Sequence, residues 1–342
     1  MTSAAATPKQ RVTAKKRSPF TINPQAIPTL AAVVIFIVMI IIGELMFGTY
    51  LRLGFISSLL MDHSYLIILA VAMTFPILTG GIDLSVGAIV AITGVVAAKL
   101  MIAGVPSWVA IIVMLLIGVA FGALAGILIE QFNMQPFIAT LSTMFLARGI
   151  ASIISTDSLT VPKDNNFSWL ATDIHLIDNP KISNDLTVDL GVFVAVIVVV
   201  IGYIVLHKTR TGRTIYAIGG SRSSAELMGL PVKRTQYSIY IISALLASVA
   251  SIVYMASMGN AKNVVGVGWE LDAVASVVIG GTLISGGFGY VLGSVIGALV
   301  RSIIDPLTSD FSVPAEAVTI VVGVMILIFV VLQRAVMAVK RR

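Results

Sequence analysis

Apolar runs of about 20 residues recur from segment 27–47 to segment 314–334, each long enough to cross the hydrocarbon core of a bilayer. Inside lipid every backbone N–H and C=O must be satisfied within its own segment, so runs of this kind are helical. They are unbroken rather than alternating, which excludes an outer-membrane barrel. Ten segments can be read, at 27–47, 64–80, 83–103, 107–130, 136–156, 189–207, 237–259, 271–285, 289–305 and 314–334. The eighth and ninth are short and glycine-rich. Apolar residues make up 58% of the 342 and charged residues 11%, more apolar surface than a soluble chain of this length can bury. The expected fold is all-α, a polytopic membrane protein with about ten transmembrane helices, some broken at glycine.

The basic residues set the orientation. Fifteen of the 22 Lys and Arg lie in the N-terminal tail, in the stretch Lys208–Arg234 and at the C-terminal end. An even number of spans puts these three regions on one side, expected to be the cytoplasm. The loop 157–188 falls on the other side and is acidic, with Asp157, Asp164, Asp173, Asp178 and Asp185, and Asp189 just beyond, against Lys163 and Lys181. The expected organisation is a disordered basic tail at 1–25, one transmembrane permease domain at 26–336 and a short basic tail at 337–342. The first apolar run is too long for a signal peptide and no small-residue cleavage site follows it. In the outer loop, Trp169 and His175 are expected to pack the loop onto its own protein, with contact to an external partner as the alternative.

Several classes drop out. The net charge of +6 sits mostly beside spans, so it is not a nucleic-acid signal. There is no cysteine, and His63, His175 and His207 have no ligand spacing, so no metal site is expected. No phosphate-binding loop occurs; Gly219-Gly220-Ser221 lacks the lysine and the preceding strand. No catalytic motif is present, so no catalytic residues and no bound cofactor are expected. Energy for active transport must come from another subunit or an ion gradient.

The stretch 208–236 carries six basic residues against the single acid Glu226. Within it, Ser223-Ser224-Ala225-Glu226-Leu227-Met228-Gly229-Leu230 reads as a short helix. Serine can cap its start, Gly229 suits its end and Pro231 prevents continuation. A short helix projecting from a membrane domain is a candidate docking element; a solvated loop is the plainer reading. Leu227 and Leu230 are expected on one apolar face, with Met228 beside them, and Glu226 is expected to pair with Arg222 or with a partner.

Two segments share the pattern G-G-x-x-x-S-x-G: Gly80–Gly87, preceded by Thr79, and Gly280–Gly287. Double glycine destabilises a continuous helix, and Asp83 or Ser85 can cap a new one. Paired broken helices point to a transport path or gate; close packing through small residues is the alternative. The candidate path residues are Thr79, Gly80, Gly81, Asp83, Ser85, Arg148, Gly280, Gly281 and Ser285. Lys99 and Glu130 are expected to snorkel at span ends. Glu270 and Asp272 open the eighth span, where the helix dipole favours anions. Arg148 and Arg301 lie deeper and need partners, and Asp83 is a candidate partner for Arg148.

These residues also resemble a known family. Gly80–Gly87, GGIDLSVG, is similar to the signature of monosaccharide permeases of ABC importers, the ribose, arabinose, galactose, galactofuranose and fructose group. Gln135–Leu141 with Arg148-Gly149, Tyr216–Ser221, and Glu270–Ala275 through Thr282 match further segments in the same order. The resemblance runs from about residue 60 to the end. It implies a second, homologous permease, an extracytoplasmic sugar-binding protein and an ABC ATPase subunit that uses ATP-Mg, with the monosaccharide passing inward across the cell membrane. It also implies that the helix at 223–230 couples to the ATPase. In importer permeases generally that helix carries Glu-Ala-Ala, three residues and Gly. Ala225 and Gly229 fit, while Ser223 and Ser224 stand for the Glu and first Ala. An ion-coupled secondary sugar transporter is the alternative, with Asp83 as the acid it would need.

Overall fold

A computed structural model describes residues 27–162, 167–177 and 185–340. The tail 1–25, residues 341 and 342, and Lys163, Asp164, Asp178 and Lys181 lie outside the described residues. Twelve helices run in order: α1 Ile27–Phe47, α2 Leu53–Leu78, α3 Val86–Ile102, α4 Ser107–Glu130, α5 Pro136–Ile154, α6 Leu190–Lys208, α7 Arg210–Gly220, α8 Arg222–Leu227, α9 Val232–Met258, α10 Trp269–Ile279, α11 Val291–Asp310 and α12 Ala315–Lys340. Among the described residues, seven are long and apolar enough to span a membrane, and α3 and the segment 317–331 of α12 are shorter apolar helices. Each of the ten expected segments corresponds to a helix. The protein is a multi-pass, all-helical membrane protein with small strand additions.

Two boundaries differ from expectation. α2 begins at Leu53 rather than near 64, because its polar first turns find partners inside the protein. Ser57 Oγ accepts from the Thr187 amide at 3.0 Å, and His63 Nε2 lies 3.5 Å from Asp305. The eighth segment stops at Ile279. Its 11 residues rise about 16 Å, half the hydrocarbon core. Gly281, Gly286, Gly287 and Gly289 then turn the chain with positive φ.

α2 and α9 form the centre. Every residue from Leu66 to Leu78 is buried, as a stretch apolar at all positions but Thr74 and surrounded on all sides should be. α4 crosses α9 closely. A Cβ at Gly118 would overlap Ser248, one at Gly122 would meet the backbone of Tyr240 and Ile241, and one at Gly126 would meet Tyr237. Glycine at every fourth position is the small-residue seam that lets backbones approach in lipid, where dispersion replaces the hydrophobic effect. α1 and α6 leave Leu45, Ile197, Val200 and Ile204 exposed to the surrounding lipid.

The outer loop is clipped down by two small antiparallel sheets. β1 (Leu159–Thr160) pairs with β4 (Asn260–Ala261), and β2 (Ile174–Ile177) with β3 (Leu186–Val188). Phe167 and Leu170 bury the loop against α3, α4 and α9 residues. Trp169 does not, being half exposed, and His175 is exposed with its Nδ1 3.2 Å from Thr187 Oγ1. The residues expected to anchor this loop are therefore replaced by their neighbours, because the 3-10 turn Ser168–Ala171 points Leu170 inward and Trp169 out.

Candidate functional site

The basic stretch folds as two helices rather than one. Thr209 opens α7 by accepting from the Gly212 amide at 3.2 Å. α7 is amphipathic: Gly212, Thr214, Ile215 and Ile218 are buried while Arg210 and Arg213 are exposed. Ser221 then caps α8, accepting from the Ser224 amide at 3.3 Å. The expected helix at 223–230 is corrected to Arg222–Leu227, because Ser221 takes the cap and Gly229, at φ +74°, already turns away. Ser223, Ser224, Glu226, Leu227 and Met228 are exposed and Ala225 is buried. Leu227 is 90% exposed, yet Leu230 packs inward on Ile218, Ala225 and Val232. The apolar tip is therefore Leu227 with Met228, not Leu227 with Leu230.

α7 seats directly on both glycine breaks. Thr79 ends α2, its hydroxyl donating to the Pro76 carbonyl at 2.8 Å. Gly80 follows at φ +81°, and a Cβ there would lie 3.3 Å from the Ser285 carbonyl. The Gly287 amide donates to the Leu78 carbonyl at 2.8 Å. A Cβ on Gly219 of α7 would overlap both the Leu78 carbonyl and the Gly287 amide. The Tyr216 hydroxyl donates to the Gly289 carbonyl at 2.6 Å. The two repeated segments thus meet in space and share one contact on α7. Gly280 plays a different part: it packs against Gly293, where a Cβ would overlap the Gly293 carbonyl, so its role is close crossing of α10 and α11. Gly281, at φ +96°, faces Pro28 and Thr29 of α1.

Asp83 is 1% exposed and belongs to the break rather than to an open path. Its Oδ1 accepts from the Ser85 amide at 3.0 Å and hydroxyl at 2.6 Å, which turns the chain into α3. Asp83 Oδ2 and the Tyr240 hydroxyl have no hydrogen-bond partner among the described residues. The Tyr240 hydroxyl sits 2.5 Å from where a Cβ of Gly81 would be.

The expected pairing of Asp83 with Arg148 does not form. Arg148, on α5, donates through Nη1 to the carbonyls of Asn263 (2.9 Å) and Val265 (2.5 Å) in the loop before α10. Backbone carbonyls freed by that irregular loop reach the cation, which a sequence pattern of acids does not reveal. Arg301 on α11 holds Asp272 at 2.7 Å and Asp305 at 2.8 Å, so Asp272 opens α10 and also neutralises a partly buried cation. Glu130 does not snorkel. Its side chain is buried and accepts two bonds from Arg222, at 2.9 Å each. The expected Arg222–Glu226 pair is also present, at 3.2 Å. The Glu130 hydrogen bonds raise the Arg222 pKa further above its ordinary range.

Sequence reasoning missed Gly219, Tyr216 and Tyr240 as junction residues. The one available signal was Gly219-Gly220, a glycine pair inside a polar stretch where no membrane crossing asks for it.

The family described as branched-chain amino acid transport system / permease component matches residues 55–330. The fructose import permease protein FruG of Bifidobacterium longum (strain NCC 2705) is 74% identical over 339 residues, covering 99% of this chain and 98% of that protein. The inner membrane ABC transporter permease protein YjfF of Escherichia coli (strain K12) is 40% identical over 283 residues, covering 82% and 83%. The ribose import permease protein RbsC of the same strain is 35% identical over 296 residues, covering 85% and 90%. No solved structure matches the chain.

Proposed function

The chain belongs to the branched-chain amino acid transport system / permease component family, and on that premise we propose that it carries a monosaccharide, fructose first, through the membrane of an ATP-driven importer. It is a transport component and not an enzyme. The sugar reading is supported by the names of its relatives, which are import permeases for fructose and ribose. The same reading supplies the partners: a second permease, an extracytoplasmic sugar-binding protein, and an ATPase that binds and hydrolyses ATP-Mg. The basic side that carries α7 and α8 faces the cytoplasm, in keeping with the positive-inside rule.

The observation that carries the mechanism is the seat of α7 on both glycine breaks. The exposed Leu227–Met228 tip of α8 offers an apolar face on an otherwise polar stretch, and such a face calls for a groove on a partner. The ATPase docks there, on the surface from Ser223 to Gly229. A displacement of α8 passes through Gly220 and Ser221 to α7, and from Gly219 and Tyr216 through Leu78, Gly287 and Gly289 to the adjoining turns Thr79–Ser85 and Gly280–Ser285. Those turns act as the inner gate, since glycines at positive φ bend without the steric cost other residues carry. An ion-coupled carrier would need Asp83 open to the path, and Asp83 is 1% exposed with its Oδ1 held by Ser85.

The test is reconstitution of the wild-type chain with its second permease, ATPase and binding protein. Fructose uptake that requires ATP and persists without an ion gradient supports the reading. Uptake that follows a proton or sodium gradient and ignores ATP overturns it. Leu227→Asp tests docking in the same system, since it should strip the ATPase from the complex.

A further inference from the structure

Position 130 is electrostatically unfavourable for a buried acid. It is the last residue of α4, where the helix dipole and unpaired carbonyls disfavour negative charge. Its side chain is 1% exposed. A carboxylate in that position persists only with a strong partner, and Arg222 is that partner. The two guanidinium nitrogens Nη1 and Nη2 each meet one carboxylate oxygen at 2.9 Å, a bidentate fork that fixes direction as well as distance. Arg222 is the first residue of α8 and Leu227 the last, five positions on. Its third nitrogen, Nε, holds Glu226 at 3.2 Å on the outer side of the same helix.

The end of α4 that carries Glu130 packs toward the break. α4 crosses α9 at Gly122 and Gly126, beside Tyr240 and Tyr237. Ile129, the residue before Glu130, packs in one buried cluster with Ala125, Ala139 and Tyr240. The Tyr240 hydroxyl occupies the space a side chain at Gly81 would need. One chain of contacts therefore runs from α8 through Arg222 to Glu130 at the end of α4, and from its neighbour Ile129 to Tyr240 and Gly81, apart from the α7 seat on Gly219.

We propose that the Glu130–Arg222 fork is the positioning link that ties α8 to the transmembrane bundle and sets how much transport each ATP hydrolysis yields. This rests on the reading of α8 as the ATPase dock. Neither residue forms the docking tip; both hold the helix that carries it. Where docking supplies the force, the fork directs it into α4 and α9. Loss of the fork leaves α8 free to follow the ATPase without moving the break.

The experiment uses the reconstituted complex, with fructose as probe, and reads ATPase content, ATP hydrolysis and uptake in the same vesicles. Glu130→Gln combined with Arg222→Met removes both charges, so no unpaired buried charge is left to unfold the protein. This double variant should keep its ATPase and continue to hydrolyse ATP. Uptake per ATP should fall by about fivefold or more, the low end of ordinary coupling factors between sites. Arg222→Lys, which keeps the charge and loses the fork, should fall between it and wild type. Uptake per ATP unchanged in the double variant overturns the link. Loss of the ATPase from the double variant also overturns it, because Arg222 would then belong to the docking surface. Leu227→Asp is run alongside: retention of the ATPase there refutes the dock itself, whatever the double variant does.

Discussion

The amide of Gly287 donates to the carbonyl of Leu78 across 2.8 Å, joining the end of α2 to the turn before α11. The Leu78 carbonyl is one of those a helix end leaves unsatisfied, and a partner 209 positions away in the chain answers it. The bond brings together the two segments that repeat G-G-x-x-x-S-x-G, with Gly219 of α7 pressed on both.

Gly219→Ala should insert and lose uptake, because its Cβ has no room between Leu78 and Gly287. The overpacking should cost about 1–3 kcal/mol, read as a lower melting temperature in detergent. Gly220→Ala is the matched control: a Cβ there meets nothing within 4 Å, and its melting temperature should stay at the wild-type value. Equal behaviour of the two variants would mean the seat tolerates side chains and transmits nothing.

Leu227 and Leu230 should separate docking from folding. Leu227→Asp changes a 90% exposed side chain and should leave the melting temperature within about 0.5 kcal/mol equivalent of wild type. Leu230→Asp places a charge against Ile218, Ala225 and Val232 and should destabilise by about 2 kcal/mol or more. A large loss of stability from Leu227→Asp would show that the tip is packed within this chain.

Arg301 should be the costlier cation to orphan. Its side chain is 12% exposed and bridges Asp272 and Asp305. Asp272→Ala leaves that charge with one partner, and the loss should approach the roughly 3–5 kcal/mol typical of a broken buried pair. Asp272→Asn, which retains an acceptor, should recover part of it. Thermal unfolding of both variants checks this, and equal melting temperatures for the pair would deny the ion pair its role.

Asp189 caps α6 by accepting from the Val192 amide at 2.8 Å, and burial pushes its pKa up despite that bond. A raised acid pKa in the folded state means that folding takes up a proton. Stability should therefore rise as pH falls through the folded pKa, and the ionised carboxylate is a burden at neutral pH. Asp189→Asn keeps the cap without the charge and should match or exceed wild type at pH 7, with a flatter dependence between pH 7 and pH 4. Asp189→Ala should lose about 1 kcal/mol at pH 7. A steeper acid dependence in Asp189→Asn would contradict the sign.

Orientation has a direct readout in this cysteine-free chain. Asp173→Cys and Ser223→Cys both stand at exposed positions, on the outer loop and on α8. An impermeant thiol reagent should label the first in intact cells and the second only after permeabilisation. The opposite pattern would reverse the assigned sides.

The sequence by itself determined that this is a helical membrane protein, and which apolar segment each long helix contains. Lipid forces each long apolar run into a helix, so length and hydropathy carry that information one segment at a time. It also determined the two glycine breaks and the existence of a polar segment with its own helix, since glycine pairs and serine caps act over a few residues. Which charge meets which was decided only by the tertiary structure. Arg148 takes two backbone carbonyls, Arg222 reaches 92 positions back to Glu130, and Arg301 reaches Asp272 on the neighbouring helix. Where water is scarce, a charge takes the donors and acceptors within reach, and reach is set by helix crossings rather than by spacing along the chain. The same holds for Gly219: its need for a bare α-carbon comes from Leu78 and Gly287, residues that only the packing of α2, α7 and the turn before α11 brings to it.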